Sequence, residues 1–82
     1  METRSITSTE LAAFIRYLGT VERSVGTIEK YFRDTGRFAA WLEGAEATRE
    51  RAAAWRDSLL EGGYAPATVN SMVAAVNQFF TF

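Results

Sequence analysis

Neither cysteine nor histidine occurs among the 82 residues, and these two absences narrow the available chemistry sharply. Without cysteine there are no disulfide staples, thiolate metal ligands or cysteine nucleophiles, which fits a reducing compartment. Without histidine as well, Ser/His/Asp and Cys/His catalysis, zinc fingers and most catalytic zinc sites are excluded. Only carboxylates, Tyr, Ser, Thr, Lys and Arg remain for chemistry, so an enzyme is disfavoured and no cofactor or metal is expected. A long apolar run is missing too. The longest stretch free of acidic and basic side chains, Gly62 to Phe82, is interrupted by Pro66, Thr68, Asn70, Ser71, Asn77 and Gln78, too many polar breaks for a bilayer span. Met1 to Ser5 already include Glu2 and Arg4, with no secretory pattern. The expectation is a soluble, cytoplasmic chain with no membrane partner.

What is present describes one small domain. Hydrophobic residues make up 48% of the chain and aromatics 13%. At this length folding hides only roughly 60 to 65% of the surface of the unfolded chain, enough for one compact core and too little for a large cleft. Thr7 and Glu10 have capping-box spacing flanked by Ile6 and Leu11 as a staple, so a helix starts near Ser8 and stops at Gly19. Leu11, Phe14, Ile15 and Leu18 lie on one stripe of it. Ser24 caps a second, longer helix in which Val25, Ile28, Phe32, Thr35, Ala39 and Leu42 repeat with helical period and Gly44 supplies the stop. Gly26 and Gly36 inside it each cost roughly 1 kcal/mol relative to Ala, so tertiary packing must hold it together.

Thr48 caps a third helix with Ala52, Trp55 and Leu59 inward and Gly62 and Gly63 at its end. Pro66, the single proline, opens a fourth, in which Val69, Met72, Val73, Val76, Phe79 and Phe80 form one stripe. No strand pattern, internal repeat or sustained heptad seam is present. The spacing predicts an all-α fold, a compact four-helix orthogonal bundle.

The near-neutral total, nine basic against ten acidic residues, conceals polarity along the chain. Residues 23–42 hold four basic and two acidic side chains, residues 43–62 three and five, and residues 63–82 none. At about 100° per residue Arg23, Lys30, Arg33 and Arg37 fall within an arc of roughly 80°, away from Ile28, Phe32 and Ala39. Asp34 projects into the same arc and Glu29 borders it. Such a stripe is either a solvated face with local ion pairs or a set of salt-sensitive contacts to nucleic-acid phosphates, with Lys30, Arg33 and Arg37 as the contacts. Thr27, between this arc and the core, offers a hydroxyl to a phosphate, or simply helps Ser24 cap the helix.

The outer face of the fourth helix carries Ala67, Asn70, Ser71, Ala74, Asn77, Gln78 and Thr81 and no charge. Asn and Gln present a donor and an acceptor together, as an adenine edge requires. The same small, neutral face equally suits a partner helix or another domain. Trp41, Trp55, Tyr31 and Tyr17, at helical spacing, read as packing.

Taken in order, Ser24, Thr27, Ile28 and Tyr31, then Phe38, Trp41 and Leu42, then Leu59 and Gly63, then Pro66 to Asn70 running into Val76, Phe79 and Phe80, the chain resembles the N-terminal core-binding domain of tyrosine recombinases, the phage-integrase SAM-like domain. The resemblance spans nearly the whole chain. It implies a helical module that grips double-stranded DNA while a separate C-terminal domain supplies the catalytic Arg, Lys and His residues and the tyrosine nucleophile. None of that set is present, so residues 1–82 are expected to be a single core-binding domain excised from a longer recombinase that acts with other recombinase subunits on DNA. Tyr17, Tyr31 and Tyr64 are not that nucleophile.

Carried over by position, the second and fourth helices would face the major groove and its phosphates, giving Arg23, Thr27, Lys30, Arg33, Arg37, Thr68, Asn70, Ser71 and Asn77 as DNA-binding residues. Ser71, Asn77 and Thr81 stand where many relatives carry Arg or Lys, and Ala65 where many carry a capping Ser. Two rivals remain: a protein-interaction domain using the uncharged fourth helix with Phe79, Phe80 and Phe82, and a small helix-turn-helix regulator turning at Gly62 to Ala65. The regulator would want basic residues beside its reading helix, and none occurs after Gly62.

Overall fold

A computed structural model of the chain describes residues 6–21 and 24–82. Four helices follow one another, α1 (Ser8–Thr20), α2 (Val25–Leu42), α3 (Arg49–Glu61) and α4 (Pro66–Thr81), and the described residues contain no strand. Three of the four starts are secured by side chains. Thr7 Oγ1 accepts from the Glu10 amide at 3.1 Å, Ser24 Oγ from the Thr27 amide at 3.2 Å and Thr48 Oγ1 from the Arg51 amide at 3.0 Å, each satisfying an orphan donor of the first turn. The fourth start has Ala65 at the cap position with no side-chain bond, followed by Pro66, whose missing amide hydrogen removes one orphan donor.

The stops are backbone devices. At the end of α3 the Gly63 amide donates to the Leu60 carbonyl at 3.1 Å and the Tyr64 amide to the Leu59 carbonyl at 3.2 Å, a Schellman closure that places Gly63 at φ 97°. The end of α2 turns through two left-handed residues, Glu43 (φ 51°) and Gly44 (φ 87°). The first helix does not stop at Gly19 but runs one residue further to Thr20, whose hydroxyl donates back to the Tyr17 carbonyl at 2.6 Å.

α2 and α4 form the most extensive pairing, with α3 packed on α4 and α1 on α2. One core cluster joins Phe38 and Leu42 of α2, Ala47 of the α2–α3 loop, Ala52 and Trp55 of α3 and Met72 and Val76 of α4. The other joins Phe14 and Leu18 of α1 to Phe79 of α4, where the Phe14 and Phe79 rings meet edge to face at 5.5 Å between centroids. Ile6 packs against both clusters. The molecule is only 19 Å thick, the depth of two helix layers.

On α2 the buried side differs from the sequence expectation. Asp34, Thr35, Phe38 and Leu42 are buried, whereas Phe32 and Val25 are 51% and 72% exposed. Two stripes of helical period share Ile28, Thr35 and Leu42, one running through Phe32 and Ala39 and the other through Tyr31 and Phe38. The second wins because Phe38 fits between Trp55 (5.2 Å between ring centroids) and Phe80 (6.5 Å). The core face is thus turned by roughly 60° toward the basic arc. Trp41 also departs from the packing expectation, since it is 40% exposed while stacking on Phe38 at an interplanar angle of 16°.

Candidate nucleic-acid interface

The turn of α2 has a consequence for its charges: the basic arc lies beside α4 rather than opposite the core. Lys30, Arg33, Asp34 and Arg37 of α2 form one wall of an open groove of about 350 Å³, and Ala67, Thr68, Ser71 and Met72 of α4 form the other. Helical period sets this up on both sides. Lys30, Arg33, Asp34 and Arg37 are spaced at i, i+3, i+4 and i+7, and Ala67, Thr68 and Ser71 occupy the first turns of α4 on its α2 side.

Within the groove the cations are not equivalent. Lys30 Nζ lies 2.6 Å from Asp34 Oδ2 and donates to the Ser71 carbonyl at 3.0 Å, so it ties α2 to α4. It also sits 5.6 Å from the centre of the Tyr31 ring. Asp34, expected to project outward and dilute the stripe, is instead 2% exposed. Arg33 and Arg37 are exposed, and among the described residues neither guanidinium has an ion-pair or hydrogen-bond partner. Trp41 continues their row at i+4 from Arg37. The spacing Arg33, Arg37, Trp41 was visible in the sequence, but nothing there indicated that the indole is half-uncovered.

The residues singled out from sequence divide accordingly. Lys30, Arg33, Arg37, Thr68 and Ser71 come together around the groove. Thr27 does not join them: its Oγ1 accepts from Ser24 Oγ at 2.8 Å and it belongs to the cap of α2. Asn70 and Asn77 are exposed and, about 20° apart around α4, form a separate outward row with Ala74 and Thr81. Ser71 and Gln78 are only half-exposed. Arg23 lies outside the described residues. Among the described residues no group of three acidic side chains is placed to hold a metal ion, and no helix is long and apolar enough to cross a membrane.

Four helices in this order, with a basic groove between the second and the fourth, make up a small all-α module. Residues 11–82 match the family of the phage integrase N-terminal SAM-like domain, and the chain belongs to that family. Neither a curated protein nor a solved structure matches the chain significantly. Membership implies a role in site-specific recombination, and the matched region is an N-terminal domain of integrases.

Proposed function

We propose that this domain is the DNA-gripping arm of a site-specific tyrosine recombinase or integrase. It holds duplex DNA in register while a C-terminal catalytic domain, joined after residues 1–82, cleaves and rejoins strands in the cytoplasm alongside other recombinase subunits. The observation that carries the reading is the pair of unpartnered guanidiniums, Arg33 and Arg37, on the wall of a groove whose other wall offers the exposed Thr68 hydroxyl. Arginines held on one helix face and left without acids are suited to phosphate oxygens, and such contacts set orientation rather than sequence. Base-edge contacts fall to Asn70 and Asn77 on the outward row of α4, whose amides can present a donor and an acceptor together.

An NMR titration with a short duplex at two salt concentrations tests this. Amide shifts confined to residues 30–37 and 67–77 that fade as salt rises are expected, because each neutralised phosphate releases condensed counterion. Salt-insensitive shifts clustered around the exposed Val25 and Phe32, or along α4 without α2, would instead favour a protein-interaction domain.

A further inference from the structure

The groove's three cations invite a common role, yet their surroundings separate them. The Lys30 ammonium spends two of its three donors inside the protein, on Asp34 Oδ2 at 2.6 Å and on the Ser71 carbonyl at 3.0 Å. Its side chain is 32% exposed and that of Asp34 only 3%. The pair carries no net charge, so at range it draws no phosphate and displaces no condensed counterion from the DNA. Nor does it serve the helix alone. Lys placed N-terminal to an acid at i, i+4 is the weaker of the two orientations within a helix, so the chief yield of the arrangement is the bond across to α4. Ser71 lies one turn after Ala67 and Thr68, so a tie at its carbonyl holds the segment of α4 that walls the groove.

We infer that Lys30 is a positioning residue and not a phosphate ligand: with Asp34 it latches α4 to α2 through the Ser71 carbonyl, setting the groove across which Arg33, Arg37 and Thr68 meet the DNA backbone. This rests on the phosphate reading above. It assigns the salt-dependent attraction in the groove to the two arginines.

The test is anisotropy of a labelled duplex of arbitrary sequence titrated with the 82-residue domain over a series of salt concentrations. Arg33→Ala and Arg37→Ala should each flatten the plot of log affinity against log salt by about 0.9, one phosphate each. Lys30→Met should lower affinity at every salt concentration. Because Lys30→Met alone strands a buried carboxylate, the double variant K30M/D34L accompanies it, replacing the pair by apolar side chains of similar volume that such sites often accept without loss of stability. Folded as firmly as the parent, the double variant should still bind less tightly with unchanged slope, and the amide signals of residues 67–72 should move. A double-variant slope reduced by one phosphate would overturn the inference, and so would parent-like affinity of that variant. If Arg33→Ala and Arg37→Ala change neither slope nor affinity, the phosphate reading itself falls, and the inference with it.

Discussion

Phe38 and Phe32 sit six residues apart on α2, and their opposite fates depend on what each ring meets. Phe38 is fully buried against Trp55, Trp41 and Phe80, so its removal deletes both transfer free energy and packing. Phe38→Ala should cost about 3 to 5 kcal/mol, read from the urea midpoint. Phe32 is half-exposed, and Phe32→Ala should stay within about 0.5 kcal/mol of the parent. A large loss at Phe32 with a small one at Phe38 would reverse the register assigned to α2. Sequence alone had no means of separating the two rings, since both belong to stripes of helical period. The choice depends on Trp55 and Phe80, which arrive from other helices.

At the scale of the element, the helices differ in how their ends are sealed. Thr7, Ser24 and Thr48 were each legible as caps because the rule is local: an oxygen one side chain long, placed before the first turn, reaches an amide two or three residues ahead. The stop at Gly63 was equally legible, since a left-handed position after a helix favours glycine. The missing cap of α4 is a local weakness. Ala65 already has the extended backbone of a cap residue, φ −64° and ψ 143°, so Ala65→Ser should stabilise the domain by about 0.5 to 1 kcal/mol with the urea m-value unchanged. Destabilisation there would mean that the surroundings of Ala65 exclude a hydroxyl. Less legible was the side of α2 bearing Asp34, for which charge argued exposure. Its burial depends on a lysine one turn earlier together with a carbonyl of another helix.

At the scale of the whole molecule, the two core clusters lie on one long partner. α4 supplies Met72 and Val76 to the first and Phe79 to the second, and the neighbouring Phe79 and Phe80 rings stand 6.2 Å apart. Phe82 adds a tie to α1, with its ring 5.6 Å from Phe14 and 5.3 Å from Tyr17. A domain joined in this way should unfold as one unit. Tryptophan fluorescence, which reports on Trp41 and Trp55 beside the first cluster, and far-UV circular dichroism should therefore give coincident urea transitions. Phe14→Ala, in the second cluster, should shift the fluorescence midpoint as far as the dichroism midpoint. Separated midpoints would show that α1 opens independently of the α2–α3–α4 core.

The amino-acid sequence by itself determined the helical class, the number and approximate ends of the helices, the absence of cysteine and histidine chemistry and the polarity of charge along the chain. All of these depend on residue identity or on interactions within a few residues. The family was legible in the same way, through the order and spacing of apolar and capping residues. Tertiary structure decided which face of α2 is buried, that Lys30 and Asp34 close a bond to α4, that Arg33 and Arg37 are left without acids, and that Asn70 and Asn77 lie apart from the groove. Each of these outcomes compares contacts between residues distant in sequence, and helical period on one element admits more than one answer until a second element packs against it.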